Sequence, residues 1–221
     1  MDEYLKHRNN LKTGDILLFS GRGPTSWMIR LGEWSKWSHV GMVIKNDIGL
    51  FSWESTTLSN IKDASDGKEK MGVQIVSLSE RIKRYDGEIA YRSLAIPKGI
   101  KIEEEETTGD GITRGMEKKL WEIRQQLRDR PYEKHKLELI KSLIDVLPGS
   151  TNKEDLSSVF CSELVAEAYQ SMGLLPPNEP SNEFTPRDFS CAGRINKKLL
   201  AKEPFRASLG DEIYIKINKT I

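Results

Sequence analysis

Three residues of this 221-residue chain are well suited to nucleophilic chemistry: Cys161, His39 and Glu54. Cys161 lies near the start of the segment 157–173, in which apolar residues recur every three to four positions; this spacing predicts a helix with one buried face. Free N–H groups at the start of a helix favour a negative charge, so a thiol there could act as a thiolate nucleophile. An isolated cysteine on such a face would more often be a small packing residue.

His39 begins an alternating segment, 39–44, that predicts a strand, and 49–54 predicts the next strand. If Ile44 pairs with Gly49, His39 directly faces Glu54, with Cβ atoms about 4.5–5.5 Å apart. A slip of one residue would place Glu54 on the other face. A carboxylate that holds a histidine fixes its tautomer and supports its positive charge while the histidine activates a thiol. These residues therefore predict a Cys-His-Glu triad.

Other elements must position these three side chains. Strands are predicted at 16–19, 72–78, 88–94 and 213–217, a helical turn at 79–85, and amphipathic helices at 116–127 and 137–147. Gly173 is expected to end the cysteine helix in the left-handed conformation. The segment 99–115 contains four consecutive glutamates and several glycines, which is typical of a solvated surface loop.

The composition excludes several classes of function. Lys and Arg number 34 against 33 for Asp and Glu, and a net charge of +1 does not indicate nucleic acid or an anionic membrane. Two cysteines make no disulfide framework, residues 1–15 lack the apolar core of a signal peptide, and no apolar run approaches a membrane span. We expect a cytoplasmic protein without a cofactor. Cys191 has no paired-ligand spacing with Cys161, so no metal site is predicted.

The segments LKTGDILLF, WSHVGMVI, WEST, GVQIVSL, DRPYEKH and FCSELVAEAYQSMGL occur in this order. Together they resemble the circularly permuted NlpC-like, papain-type cysteine peptidases, most closely the YiiX/YaeF-like subgroup. The resemblance covers about residues 11–186. In ordinary papain-like enzymes the cysteine precedes the histidine, whereas His39 here comes first, as the permutation requires.

The resemblance implies a role for each site residue. Cys161 would be the nucleophile, His39 the general base and Glu54 the residue that orients the imidazole. Tyr132 matches a tyrosine that approaches the cysteine and helps to bind the substrate carbonyl; by chemistry alone, a half-buried structural tyrosine is an equal alternative. A helix-start N–H, assigned to Ser162, would complete the oxyanion site.

The resemblance also implies an α+β, papain-like fold: a small antiparallel sheet or barrel packed against the helix that carries the cysteine. The whole chain, 1–221, would form one domain. The charged segment at about 99–115 and the two helices that follow, to about 148, would be an insertion. Relatives that cleave cell walls carry export signals or wall-binding modules, which we do not find in this chain.

The resulting hypothesis is a cysteine hydrolase that cleaves an amide bond, of peptide or N-acyl amino acid type, through an acyl-enzyme. Its partner would be a small-molecule, peptide or acylated substrate. One alternative is a lipid-directed thiol acyltransferase or hydrolase, in which Trp27, Trp34 and Trp37 line an apolar groove, although plain core packing is the favoured interpretation of these residues. The other alternative is a non-catalytic binding protein that keeps a relict site.

Overall fold

The computed structural model describes residues 2–22, 35–102, 105–128, 158–196 and 207–216. Within these ranges the chain is α+β, with a mostly antiparallel sheet. The helices are α1 (Asp2–His7), α2 (Leu78–Arg84), α3 (Arg114–Leu127) and α4 (Ser158–Ser171), with 3-10 turns at Ser181–Glu183 and Pro186–Phe189. The strands are β1 (Ile16–Gly21), β2 (His39–Asn46), β3 (Gly49–Thr56), β4 (Gly72–Ser77), β5 (Gly87–Arg92), β6 (Leu94–Ala95), β7 (Lys101–Ile102), β8 (Glu105–Glu106), β9 (Ser208–Leu209) and β10 (Ile213–Lys216).

The main sheet has the strand order β10-β5-β1-β2-β3-β4, and each described pair of neighbours is antiparallel. Because side chains alternate along a strand, the sheet supplies a core on both of its faces. Leu18, Val40 and Met42 pack on one face with α3 and α4. Leu17, Phe19 and Val43 pack on the other face with α1 and α2. No helix in the described ranges is long and apolar enough to cross a membrane.

The hairpin between β2 and β3 differs from its predicted register. We expected Ile44 opposite Gly49, but Asn46 pairs with Gly49 across a two-residue turn. The Asn46 side-chain oxygen accepts the Gly49 N–H at 3.0 Å and closes this turn. The pairing is therefore shifted by two residues. A shift of two keeps every side chain on its predicted face, so His39 and Glu54 remain on the same side of the sheet.

The cysteine helix α4 lies on the sheet through one apolar stripe. Its buried residues include Cys161, Leu164, Val165, Ala168, Tyr169 and Met172. Gly173 follows the helix with φ +78°, and its N–H donates to the Gln170 carbonyl at 2.9 Å. The Leu174 N–H donates to the Tyr169 carbonyl at 2.8 Å, which completes a Schellman motif. The predicted left-handed stop at Gly173 is confirmed.

The charged segment 99–115 is more ordered than its composition indicated. We expected a loop throughout, but β7 and β8 pair as a short hairpin in which Lys101 lies opposite Glu106. The Thr107 hydroxyl anchors its base by donating to the Pro97 carbonyl and accepting the Ile100 N–H at 2.9 Å. Opposite charges on paired strands stabilise such a hairpin, which an analysis of composition alone overlooks. The predicted helix at 137–147 lies outside the described residues.

Candidate active site

The imidazole of His39 and the carboxylate of Glu54 form a buried pair. Nε2 of His39 lies 3.1 Å from Oε2 of Glu54. The contact runs diagonally across the hairpin, because Glu54 lies beside Gly41 rather than opposite His39. A Cβ at position 41 would lie 3.4 Å from the Glu54 Cβ and 3.2 Å from the Ser52 hydroxyl. The glycine therefore leaves the space in which the carboxylate reaches the imidazole.

The Glu54 carboxylate is also bound from its other side by Arg81. The guanidinium Nη2 of Arg81 donates to Oε1, and both side chains are only 1% exposed. The Ser52 hydroxyl lies 3.4 Å from Oε2. Burial alone would raise the pKa of Glu54, but Arg81 and the His39 contact outweigh it and hold this pKa below its ordinary value. Glu54 is therefore an ionised carboxylate at neutral pH.

Arg81 was not among the residues predicted for the site. It lies on α2 between Leu78 and Ile82, and with Tyr85 these residues form the buried stripe of that helix. The spacing i, i+3, i+4, i+7 marks one helical face. An arginine at an apolar position of that pattern is the sequence feature that could have identified it, because a buried guanidinium requires an acidic partner.

Cys161 is the fourth residue of α4, and its side chain is fully buried. The backbone N–H of Val40 donates to its Sγ atom at 3.4 Å. The pairing of β2 with β3 ends at Met42 and Trp53, so this N–H lies beyond the ladder and is directed at the sulfur instead. This backbone donor fixes the position of the sulfur at the start of β2.

His39 lies between the sulfur and the carboxylate. Because Nε2 faces Glu54, Nδ1 is the ring nitrogen that remains for Cys161; it is buried and has no hydrogen-bond partner among the described residues. Burial opposes a charge on His39, but Cys161 and then Glu54 outweigh it and raise the pKa of the imidazole above its ordinary value. The site therefore favours an imidazolium beside the sulfur. Phe19 supports the ring, with centroids 5.1 Å apart.

The other predicted site residues contribute less to this arrangement. Ser162 is buried, and its hydroxyl donates to the Phe184 carbonyl at 2.5 Å. As the fifth residue of α4, its backbone N–H belongs to the i to i−4 bonds of the helix, so it is not one of the open donors of a helix start. The predicted oxyanion role of Ser162 is therefore not supported by its placement.

Of the three tryptophans predicted to line an apolar groove, only Trp37 lies in the part of the chain that the structure describes. Trp37 is 2% exposed and packs against Tyr214, with ring centroids 5.8 Å apart. It is part of the core in this structure and presents no surface to a ligand. Trp27, Trp34 and Tyr132 lie outside the described residues.

Cys161, His39, Glu54 and Arg81 form a chain of buried residues from one face of the sheet to the other. The sulfur lies on the face of the sheet that α4 covers, and Arg81 lies on the face that α2 covers. Such a chain can stabilise a thiolate, store a proton on the imidazole and hold the ring in one orientation. Among the described residues, no three His, Cys, Asp or Glu side chains are grouped so that they could hold a metal ion.

No family model matches this chain, and no curated protein matches it significantly. Among solved structures it is similar to the metalloprotein YiiX of Escherichia coli O157:H7, described as DUF1105. The two chains share 16% sequence identity, the match covers 91% of this chain and 88% of that chain, and the TM-score is 0.44. A likeness this distant carries no conclusion about activity.

Proposed function

We propose that this protein is a cysteine hydrolase that cleaves an amide bond, of peptide or N-acyl amino acid type, through an acyl-enzyme on Cys161. The observation that carries the proposal is the buried group in which Glu54 holds His39 and Arg81, and in which the charge of His39 responds to Cys161. A structural cysteine needs only apolar neighbours. A thiol beside an imidazole that is itself held by an ionised carboxylate is the arrangement of an activated nucleophile.

The chemistry follows from the charges of this chain. The Cys161 thiolate attacks the carbonyl carbon and forms a C–S bond, and the negative charge moves to the carbonyl oxygen. As that charge returns, the C–N bond breaks, and the His39 imidazolium gives its proton to the leaving amine. The neutral imidazole then takes a proton from water, which attacks the thioester. The C–S bond then breaks with its electron pair returning to the sulfur, the acid product leaves, and the thiolate–imidazolium pair is restored.

Glu54 and Arg81 act on the orientation and charge of His39 and do not touch the substrate. The carboxylate keeps Nδ1 directed at the sulfur and stabilises the imidazolium between turnovers. Arg81 keeps that carboxylate ionised although it is buried. We assign both as positioning residues.

The finer structural predictions belong to the same proposal. The order of His39 before Cys161, with α4 packed on an antiparallel sheet, is consistent with a permuted papain-like fold. Cys161 and Cys191 are both free thiols, which fits the expected reducing, cytoplasmic setting. That setting remains a prediction.

The second candidate is a binding protein with a relict site, and the complete burial of Cys161 favours it. A substrate reaches the sulfur only if the protein opens around it. The lipid-directed alternative receives no support from Trp37, which is part of the core.

The decisive experiment is labelling with iodoacetamide at pH 6, with mass-spectrometric readout at each cysteine. Cys191 is exposed and serves as an internal reference. An activated site should make Cys161 react faster than Cys191 despite its burial, and His39→Ala should remove that advantage. If Cys161 reacts more slowly than Cys191 and His39→Ala changes nothing, the relict-site interpretation is correct. A panel of acyl-amide and peptide substrates then identifies the bond that is cleaved.

A further inference from the structure

A small polar cavity lies between β3, β4 and the end of α3, on the same face of the sheet as Cys161. Its volume is about 50 Å³, and its polar lining includes Arg124, Arg128, Gln125, Ser65 and Asp63, with Trp53 as one apolar wall. We propose that this cavity is a subsite that binds a carboxylate group of the substrate. The proposal rests on the hydrolase function and narrows its substrate to amides that carry a free carboxylate.

Arg124, whose side chain is half-buried, is the residue that favours an anionic occupant. Its Nε atom is buried and has no hydrogen-bond partner in the described ranges. Burial lowers the pKa of its guanidinium, and the attraction of Asp63 only partly opposes this effect. Leaving a buried charged donor unpaired is costly, whereas a carboxylate in the cavity would satisfy it with a charge-assisted bond.

The nearby carboxylate of Asp63 is already engaged. Asp63 accepts the Ser65 N–H at 2.7 Å and the Ser65 hydroxyl at 2.6 Å, and it pairs with Lys70 at 3.0 Å. Lys70 also pairs with Asp66 at 3.1 Å. The cavity lining carries Arg124 and Arg128 against the single carboxylate of Asp63, which leaves one positive charge in excess.

Stabilisation of the helix dipole is a simpler explanation for the two arginines at the end of α3. It accounts for only part of the observations. Basic residues in the last turn of a helix complement its dipole, and exposed side chains are sufficient for that effect. Arg128 follows this pattern, since it donates to the Ser65 carbonyl at 3.3 Å. The buried, unpaired Nε of Arg124 is not required for it.

The cavity is large enough for a small ligand group. Its volume of about 50 Å³ has room for a carboxylate. A planar guanidinium matches a carboxylate through two parallel hydrogen bonds. We therefore infer a carboxylate as the occupant.

The cavity adjoins the cysteine site through Trp53. Trp53 pairs with Met42, and Val40, which donates to the sulfur, lies two residues further along β2. Strand spacings place the Cα atoms of Val40 and Trp53 about 8 Å apart. Trp53 and Cys161 also belong to the same core cluster. The cavity and the sulfur therefore adjoin the same part of the core, on one face of the sheet.

Binding is tested by NMR titration of the Cys161→Ala protein, which cannot turn the ligand over. The two ligands are N-acetylglycine and its neutral amide, N-acetylglycinamide. We expect the acid to bind at least about tenfold more tightly than the amide. Arg124→Gln should remove that preference. Arg114→Gln, which changes an exposed arginine at the other end of α3, should keep it. Thermal denaturation of each variant reports whether it is folded.

Equal affinity for acid and amide, or a preference that survives Arg124→Gln, would overturn the proposal and leave the cavity as a water site. If Arg124→Gln does not fold, Arg128→Gln and Arg124→Lys take its place and should each weaken the preference. If the Cys161→Ala protein prefers the carboxylate but the wild type hydrolyses no amide, only the hydrolase function is refuted. Hydrolysis without any preference for the acid would refute the subsite alone.

Discussion

The guanidinium of Arg81 binds Glu54 on the side opposite His39, so one buried carboxylate joins two cations. This relationship explains how a glutamate that is 1% exposed remains ionised. It also connects the stability of the protein with its proposed chemistry, because a change at any of the three positions removes a partner from a buried charge.

Arg81→Gln should destabilise the protein by about 3–5 kcal/mol, since it leaves Glu54 buried and unpaired on one side. The same change should raise the pKa of Glu54, so the acid limb of the pH–rate profile should move to higher pH. Thermal denaturation and rate measurements from pH 4 to 9 check both effects. The matched control is Arg84→Gln on the exposed face of α2, which should cost less than about 0.5 kcal/mol. An unmoved acid limb in a folded Arg81→Gln protein would show that Arg81 is purely structural.

Cys161→Ala and His39→Ala should each abolish turnover. The alanine at position 161 removes the nucleophile, and the loss of the imidazole should reduce kcat by about a thousandfold or more. Circular dichroism should show a native fold for Cys161→Ala, because alanine suits the buried face of α4. Near-wild-type activity in either variant, on a confirmed substrate, would contradict the mechanism.

Glu54→Gln should retain more activity than Glu54→Ala, because the amide can still hold the imidazole by a hydrogen bond. The structure adds a stability cost to both variants, since Arg81 loses its buried counter-charge. Measuring kcat alongside the free energy of unfolding separates the two effects. Equal kcat values for the two variants would indicate that the charge, and not the hydrogen bond, is what His39 requires.

The pKa of His39 should depend on the sulfur. In the wild type it is raised from 6.5 to about 10, so the stabilising contacts of the imidazolium are fully present below pH 6.5 and are lost as the pH rises towards 10. Cys161→Ala removes a principal cause of the shift, and the pKa should fall towards its ordinary value. NMR titration of the imidazole resonances measures this, with His7 as a reference in the same spectrum. A His39 pKa that is identical in both proteins would refute the thiolate–imidazolium pair.

Gly41→Ala should displace Glu54 while leaving the fold intact. The added Cβ would lie 3.2 Å from both the Ser52 hydroxyl and the Trp53 carbonyl, which is tighter than an ordinary contact. We expect a loss of about 1–2 kcal/mol in stability and a lower kcat with little change in KM. Gly210→Ala is the control, because its Cβ would meet its nearest atoms at 3.7 Å or more. Unchanged kcat in Gly41→Ala would show that the carboxylate has room to adjust.

The sequence alone predicted most of the elements that build the site. The apolar stripe around Cys161, its stop at Gly173 and the alternating segments beginning at His39 and Gly49 predicted helix α4 and strands β2 and β3. These are local patterns, since a helix or strand that buries one face repeats that face every 3.6 or 2 residues. For the same reason, the two-residue error in the hairpin register left His39 and Glu54 on a common face.

Only the tertiary structure decided which atoms meet. The register of the hairpin depends on the turn at Asn46, and the donor to the sulfur depends on where the pairing of β2 with β3 ends. Arg81 joins Glu54 from a helix 27 residues further along the chain. Such contacts depend on the packing of separate elements across a sheet and not on any local period, so a helical stripe can mark Arg81 as buried but cannot show that it meets Glu54.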